Sequence, residues 1–219
     1  RIRSVTLESG AKISADCLAV SGGWSPALHL TCHHRGRPVW NDDIVGFVPG
    51  GDLPPGLLLA GSVTGAMSTK ACLDQAVTAV NTALKDLGKK TIAKPKISAE
   101  DKAYHISPLW QMGSNPKARK FVDLQNDVSS KDIKLAHQEG YRSVEHLKRY
   151  TTMGMATDQG KTSNVLGLAI MAEQSGRSIA DTGTTIFRPP YTPVPIGAFA
   201  GRSRGKAFRP IRLAPSHQW

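Results

Sequence analysis

Apolar residues follow two different spacings along the chain, and the change comes near residue 120. In residues 1–90, short apolar runs at 2–7, 13–20, 44–48 and 57–59 have the length and β-branched content of strands. The last run leads into AGSVTG at 60–65, and apolar residues spaced by three and four then predict a helix from about 66 to 87. Gly88 stands where a helix C-cap belongs. A strand, a glycine turn and a helix in this order are typical of an α/β nucleotide-binding unit.

Residues 121–176 have instead the pattern of three short helices joined by tight turns. The first is predicted to end near residue 138 and the third to cover 164–174, and glycines at 140 and 176 close them. Their predicted N-caps are Ser129 or Ser130, then Ser143, then Thr162 or Ser163.

Proline and lysine mark the two remaining stretches. Residues 91–120 are Lys-rich and contain three prolines, which predicts a connector. Residues 177–219 contain six prolines and are predicted to form an extended tail without helix. The expected fold class is α/β plus α. A partial Rossmann-like dinucleotide-binding domain (1–90) is followed by the connector, a helical module (121–176) and the Pro-rich tail.

Composition narrows the function classes. The formal charge is +11, and the excess lies in residues 85–149 and 177–219. Such a balance fits a polyanionic cofactor or partner contacts; nucleic acid is disfavoured, because aromatics are only 6% and no recognition motif is present. No apolar run has the length of a membrane span. The chain starts without Met or a signal peptide, and its three cysteines are widely spaced, so we expect a fragment from a reducing cytoplasm.

Three glycine- or hydroxyl-rich turns are candidates for binding phosphate. Two follow predicted strands, at Gly22 and at Gly61-Ser62, although ordinary strand-to-helix turns look the same. The third is TTMGMATDQGKTS at 151–163, where hydroxyls, a lysine and the next helix N-terminus could donate to a phosphate. The alternative is a capped turn. Its candidate ligands are Thr151, Thr152, Gly154, Lys161, Thr162 and Ser163.

Several other chemistries are not supported by motifs. The GxGxxG turn that opens a dinucleotide fold is absent, and Met155 replaces the first glycine that a P-loop would need. HExxH does not occur and no cysteine stands in a convincing nucleophile setting, so the sequence predicts no metal site and no catalytic residue in this chain.

The central residues resemble a known family. The runs FVDLQNDV at 121–128, EGYRSVEHLKRYTTMGMATDQGKTSN at 139–164 and GTTIFRPPYTP at 183–193 resemble the alpha subunit of heterotetrameric sarcosine oxidase. Upstream, DCLAVSGGWSP at 16–26 and Ala60-Gly61 are similar to the closing part of that subunit's dinucleotide-binding domain. The resemblance covers nearly the whole chain and implies a middle portion of a longer subunit.

The resemblance also implies cofactors and partners. In that family a beta subunit holds FAD and oxidises sarcosine, FMN lies at the alpha–beta interface and passes electrons to oxygen, and the alpha subunit binds NAD. Formaldehyde goes to tetrahydrofolate or is released, and gamma and delta subunits complete the complex. Gly22, Gly61 and Ser62 are then expected to line the NAD site.

Residues 121–176 also resemble a small [2Fe–2S] domain of bacterioferritin-associated ferredoxins. The positions of its four cysteines hold Asp123, Gln125, Asp158 and Ser163, so the resemblance implies the scaffold without an iron–sulfur cluster. The loop that carried the cluster would then be free to face the FMN phosphate.

Two hypotheses remain. One is a segment of an oxidoreductase that contributes cofactor contacts but no complete catalytic set. The other is a non-catalytic module that docks a flavoprotein subunit through its basic, Pro-rich tail. A change in FMN content after replacing Lys161 would distinguish them.

Overall fold

A computed structural model describes residues 2–7, 9–96, 98–113, 117–187, 191–201, 205–207 and 217. Of the six prolines in the predicted tail, Pro189, Pro190, Pro210 and Pro215 lie outside this description.

Two antiparallel hairpins shape the first fifty residues. Strands β1 (Ser4–Thr6) and β2 (Lys12–Ser14) pair with Ser4 opposite Ser14. Strands β3 (Val39–Asn41) and β4 (Gly46–Val48) pair with Val39 opposite Val48. The turn between β3 and β4 is closed by the Asn41 Oδ1 atom, which accepts the N–H groups of Asp43 and Ile44 at 2.9 and 3.3 Å.

Helix α1 (Thr69–Asp86) begins three residues later than predicted. The Ser68 hydroxyl accepts the N–H of Ala71 at 3.1 Å and so caps the helix. Gly88 adopts a φ of +65° and donates to the Lys85 carbonyl, while Lys89 donates to the Leu84 carbonyl. The predicted glycine C-cap is therefore confirmed.

The module after residue 120 contains a hairpin and three helices. The apolar periodicity predicted the three helices but not the hairpin. Strands β5 (Phe121–Asp123) and β6 (Val128–Ser129) pair antiparallel. They are followed by α2 (Ser130–Gln138), α3 (Val144–Thr151) and α4 (Asn164–Ser175). Ser143 caps α3, and Gly176 ends α4 in the left-handed region, both as predicted.

Helix α2 is capped at Ser129 rather than Ser130. The Ser129 N–H and hydroxyl both donate to the Asp132 carboxylate, each at 2.7 Å. Partial burial raises the pKa of Asp132, but hydrogen bonds from Ser129 and from the Asp132 backbone, together with the Arg119 charge, outweigh it and lower that pKa.

Three sequence predictions about elements are wrong. Of the strand expected over 13–20, only residues up to Ser14 are strand, and 57–59 is not assigned as a strand. The tail is not free of helix, because α5 (Ile179–Thr182) and α6 (Ile196–Ala200) lie within it. Helix α5 is capped by the Ser178 hydroxyl, which accepts the N–H of Asp181 at 3.0 Å. This local side-chain hydrogen bond stabilises a single turn that periodicity does not reveal.

The predicted mixture of helix and strand is confirmed, but the strand pairing differs from the expected one. In the part of the chain that the structure describes, the strands form three two-stranded antiparallel sheets and no parallel pair. The parallel sheet of a dinucleotide-binding unit is therefore not assembled within these residues.

One buried cluster joins the first part of the chain to the module. Helix α4 lies at its centre, with Leu168, Ile170 and Met171 almost fully buried. Leu28 and Phe47 pack into the same cluster. Residues on both sides of the predicted connector therefore share a core, and the domain boundaries at 90, 120 and 176 stay predictions.

Close packing in this core depends on a glycine. A Cβ atom added at Gly167 would collide with the sulfur atom of the buried Met153, so the close contact between α4 and the chain after α3 would have to change if residue 167 carried a side chain.

Candidate cofactor site

The loop between α3 and α4, residues 152–163, is a series of tight turns. Thr152 ends α3 with a φ of +61°, and Gly154, Gln159 and Gly160 also have positive φ. Backbone hydrogen bonds from Met155 to Thr152, from Gln159 to Ala156 and from Lys161 to Asp158 close successive turns. These bonds give the loop a defined shape without regular secondary structure.

Asp123 anchors this loop from the end of β5. Its side chain is 1% exposed, and its Oδ2 atom accepts the N–H of Gly154 at 2.7 Å. Its Oδ1 atom accepts the N–H groups of Gln125 and Asn126 at 2.9 and 3.2 Å. Because its carboxylate accepts N–H groups from both segments, Asp123 holds the 123–127 turn against the loop.

The other three positions that resemble cluster ligands lie on the same loop and turn. Gln125 Oε1 accepts the N–H of Asp158 at 3.3 Å, and the Asp158 carboxylate accepts the Gly160 N–H at 3.1 Å and the Thr162 hydroxyl at 2.9 Å. Ser163 is fully buried, and its Oγ has no hydrogen-bond partner. Where the resemblance places thiolates, the structure thus has three side chains that hydrogen-bond to the turn or loop and one buried hydroxyl.

The candidate site has no cluster of side chains that could bind a metal ion, among the residues that the structure describes. Within the described residues, no group of three or more His, Cys, Asp or Glu side chains is placed to hold a metal ion.

Most of the predicted phosphate donors already have hydrogen-bond acceptors within the protein. The Thr151 hydroxyl donates to the Leu147 carbonyl at 2.7 Å, and the Thr152 hydroxyl donates to the Thr151 carbonyl at 2.6 Å. Thr162 donates to Asp158, and the Gly154 N–H donates to Asp123. The structure therefore brings the predicted residues together on one loop but uses these donors to hold the loop's own shape.

Lys161 is the exposed cation of the loop. Its Nζ atom donates to the Tyr191 carbonyl at 3.1 Å and lies 4.2 Å from the centroid of the Tyr191 ring. The same ring stacks on His29 with centroids 4.1 Å apart. Burial, His33 and Lys161 each lower the pKa of His29, in that order of effect. Burial raises the pKa of Tyr191, and the nearby Asp158 carboxylate raises it further.

Asn164 and Tyr191 are functional candidates that sequence reasoning missed. Asn164 is 6% exposed; its Nδ2 donates to the Thr185 hydroxyl at 3.3 Å, and its Oδ1 has no partner. A Cβ atom at Gly154 would lie 2.5 Å from that Oδ1, and one at Gly160 would lie closer, so both glycines make room for the amide. Asn164, Lys161 and Tyr191 line a cavity of about 40 Å³. Asn164 and Tyr191 are 27 positions apart in the chain, and no local sequence pattern predicts that they meet.

The predicted NAD residues are arranged differently. Gly61 has a φ of +82° and begins a 3₁₀ helix (Gly61–Thr64), but its N–H donates to Gln75 Oε1 at 2.8 Å. Ser62 and Gly22 are exposed. In the described part of the chain, no hydrogen bond joins Gly22, Gly61 or Ser62 to the 152–163 loop. Gln75 lies on α1 and accepts hydrogen bonds from this turn, a role that the sequence did not indicate.

No helix in the part of the chain covered by the structure is long and apolar enough to cross a membrane.

A solved structure shares the fold of most of this chain, including residues outside the helical module. L-proline dehydrogenase from P. horikoshii superposes with a TM-score of 0.68 over 89% of this chain and 41% of that chain, at 18% identity. This likeness shows a shared fold alone.

Comparisons of sequence are more specific. The chain is 44% identical over 209 residues to sarcosine oxidase subunit alpha of Rhizobium meliloti (strain 1021), a match that covers 94% of this chain and 21% of that subunit. It is 38% identical over 215 residues to the subunit alpha of Corynebacterium sp. (strain P-1), covering 95% of this chain and 22% of that subunit. The chain thus spans about a fifth of the length of these relatives.

The loop and its supporting helices lie within the part of the chain that matches a family model. Residues 117–202 match the sarcosine oxidase A3 domain, a range that contains β5 through α6. Residues 117–202 thus match the A3 domain of sarcosine oxidase, and nearly the whole chain is similar to one stretch of the sarcosine oxidase alpha subunits.

Proposed function

We propose that this chain acts as part of a sarcosine oxidase alpha subunit. The proposed reaction converts sarcosine, oxygen and water to glycine, formaldehyde and hydrogen peroxide, with the formaldehyde passed to tetrahydrofolate or released. The observation that carries the proposal is the match of 117–202 to the A3 domain, together with the similarity of the chain to alpha subunits over more than nine tenths of its length. The FAD that oxidises sarcosine is assigned to a beta subunit, and no catalytic residue is assigned to this chain.

The 152–163 loop is proposed to contact FMN at the boundary with the beta subunit. Lys161 supplies the positive charge, and the N-terminus of α4 directs the positive end of the helix dipole towards the same region. The internally bonded residues Thr151, Thr152, Gly154 and Thr162 would hold the loop's shape rather than donate to the phosphate. The buried Ser163 hydroxyl and the buried Asn164 Oδ1 atom have no hydrogen-bond partner and would be available to a bound group.

NAD is proposed to bind nearer Gly22, Gly61 and Ser62. The N–H of Gly61 is held by Gln75, which leaves the exposed Ser62 hydroxyl as the donor in that turn. The opening phosphate turn of a dinucleotide fold is not in this sequence, so these residues would serve an NAD site completed elsewhere.

Replacing Lys161 tests the FMN proposal. We expect Lys161→Ala to lower the FMN bound per reassembled enzyme, because the cation closest to the proposed phosphate is lost. The measurement is flavin released on denaturation, quantified against protein. Lys134→Ala, which removes an exposed lysine from α2, is the matched control and should leave FMN content unchanged.

A second function, docking of a flavoprotein subunit, is favoured by one surface feature. Leu124 and Met155 are 77% and 49% exposed, and they lie on the 123–127 turn and the 152–163 loop that Asp123 and Asn126 tie together. We call this surface the Leu124–Met155 face. Exposed apolar side chains on an internally hydrogen-bonded surface suit a partner that covers them. Unchanged flavin content in Lys161→Ala, with weakened subunit association when this face is altered, would favour docking alone.

A further inference from the structure

A cavity of about 460 Å³ lies between the β3–β4 hairpin, the chain at 106–110 and helix α5. This volume is typical of small-molecule sites in proteins. The wall is mainly apolar and contains two indole rings; the lining residues include Trp40, Val45, Ile106, Pro108, Trp110 and Ile179. The hairpin, the connector and the helix are therefore all needed to form the cavity.

The charge of this cavity differs from that of the chain as a whole. Asp42 is the one charged residue among those that line it, and no lysine or arginine of the described chain contributes to its wall. The whole chain, in contrast, carries a formal charge of +11. A carboxylate beside aromatic rings attracts a cation and repels an anion. The cavity is therefore unsuited to the cofactor phosphates proposed for the glycine- and hydroxyl-rich turns.

The hairpin side of the cavity is already fixed in place. The Asp42 Oδ1 atom accepts the Trp40 indole N–H at 2.7 Å, and the Trp40 ring packs edge-to-face on the buried Phe47 with centroids 5.1 Å apart. Val45 donates its N–H to the Asp42 carbonyl at 3.3 Å and has a φ of +49°, which β-branched residues rarely adopt. Because these groups are ordered beforehand, a ligand would lose less binding free energy to ordering them.

The connector side is attached to the folded unit at two points. Gln111, next to Trp110, donates from Nε2 to the Glu173 carboxylate at 2.9 Å. At the other end, a Cβ atom at Gly23 would lie 2.7 Å from the Cδ1 atom of Ile106, so the glycine makes room for that side chain. These contacts keep the second indole ring at the cavity.

Indole rings and a carboxylate together suit an ammonium ion that carries methyl groups. The face of an indole ring attracts such a cation, and the methyl groups pack against apolar side chains. A primary ammonium is more strongly hydrated and would lose more free energy on entering an apolar cavity. The wall therefore favours a methylated ammonium over a lysine-like one.

We infer that this cavity binds a small quaternary or N-methylated ammonium compound, with its methyl groups against Trp40 and Trp110 and its charge towards Asp42. A compound with its own carboxylate beside the ammonium is disfavoured, because that carboxylate would approach Asp42. The inference does not depend on the proposed flavin contacts or on amine oxidation, since no residue of the 152–163 loop apart from its surroundings is involved: the lining residues all lie outside that loop.

Titration of the 219-residue chain with choline tests the inference. Affinity is measured by calorimetry, and shifts of the indole N–H signals in NMR spectra locate the bound cation. We expect choline to bind at least about tenfold more tightly than its neutral analogue, in which a tert-butyl group replaces the trimethylammonium group, because only choline carries the charge. Glycine betaine, which has a carboxylate, is expected to bind roughly threefold more weakly than choline.

Two variants assign the site. Trp110→Leu and Asp42→Asn should each weaken choline binding about fivefold. Asparagine keeps a carbonyl oxygen that can accept the Trp40 N–H, so Asp42→Asn removes the charge without removing that hydrogen bond. The matched controls are Trp24→Leu and Asp52→Asn. Both residues are exposed and lie outside the lining of the cavity, so these variants should bind choline as the parent does.

The results against the inference are specific. Equal affinity for choline and its neutral analogue would overturn it, because the cavity would then select apolar shape alone. Absence of saturable choline binding would overturn it too. Affinity unchanged in both Trp110→Leu and Asp42→Asn would place the cation elsewhere on the chain. If circular dichroism shows that Trp110→Leu does not fold, Asp42→Asn still decides, because it keeps the hairpin hydrogen bond.

Discussion

At the scale of single residues, Asp123 determines the shape of the candidate site. Its carboxylate accepts the N–H of Gly154 from the loop and two N–H groups from its own turn. One buried side chain therefore connects two segments that lie 31 positions apart in the chain.

Asp123→Asn is expected to destabilise the chain by about 2 kcal/mol, because an amide NH₂ would face the Gly154 N–H and leave a buried donor without an acceptor. Urea unfolding of the two proteins measures the difference. Asp127→Asn is the control: residue 127 is exposed with a φ of +54°, which asparagine tolerates, so its change should stay within about 0.5 kcal/mol. An Asp123→Asn protein as stable as its parent would show that the loop does not depend on this carboxylate.

Residue patterns anticipated the local chemistry of the site but not its long-range contacts. The Ser143 cap, the helix-ending Gly176 and the clustering of hydroxyls at 151–163 follow from neighbours in sequence, and all are found. The stacking of Tyr191 on His29 joins residues more than 160 positions apart, and no local pattern encodes it. The Thr151 and Thr152 hydroxyls donate to backbone carbonyls, a geometry that depends on the backbone turn and that composition does not fix.

At the scale of elements, Tyr191 connects the segment after α5 to the loop before α4 and to the first part of the chain. Lys161, from the turn before α4, and His29, from a 3₁₀ helix (His29–Cys32), both contact the Tyr191 ring. Phe187 adds an edge contact to the same ring at 5.1 Å. Three elements distant in sequence therefore meet at one tyrosine.

This contact should make stability depend on pH. The pKa of His29 lies below 6.5 in the folded chain, so the unfolded chain binds more protons once the pH falls below about 6.5. The stabilising effect of a neutral His29 is complete above that pH and is lost as the pH decreases through the folded pKa. We expect urea unfolding to show decreasing stability from pH 7.5 to 5.5, and a smaller decrease in His29→Gln.

His137 is the necessary comparison for that measurement, since its pKa is also lowered, by desolvation and then by Arg142 and Arg177. His137→Gln should remove only its own share of the pH dependence. If stability decreases equally with falling pH in His29→Gln and in the parent, titration of His29 is not the source of the pH dependence.

Elements with caps were the most predictable. Helices α2, α3 and α4 combine a serine N-cap or glycine end with apolar periodicity, and their observed bounds lie within one or two residues of the expected ones. The strand predictions at 13–20 and 57–59 failed because a strand needs a neighbour, and the sequence of one strand does not contain it. Helix α6 begins directly after Pro195, in a stretch whose prolines suggested extended chain throughout.

At the scale of the whole molecule, the buried cluster makes the regions before and after the predicted connector parts of one folded unit. Leu28, Cys32 and Phe47 pack with residues of α2, α3 and α4. The Leu124–Met155 face lies on the surface of this unit, and its rigid support makes it suited to association with another subunit.

If the proposed docking to a beta subunit uses this face, Leu124→Asp should weaken that association at least about tenfold, because a charge would have to be desolvated in the interface. The melting temperature of the chain should not change, since the Leu124 side chain is 77% exposed. Association is measured by titration of one subunit with the other. Leu87→Asp, which changes another leucine that is 71% exposed at the end of α1, is the control and should bind normally. Equal affinities for the two variants would remove the face from the interface.

The contact between Gly167 and Met153 has a consequence for chemical damage. A methionine sulfur becomes a sulfoxide by gaining an oxygen atom, and Met153 has its sulfur pressed against the α4 backbone with no exposed surface. Met112 and Met155, 73% and 49% exposed, have room for that oxygen. In a protein whose proposed reaction releases hydrogen peroxide, oxidation would therefore be confined to surface methionines, and the sulfur at the centre of the core would remain a thioether for as long as the chain stays folded.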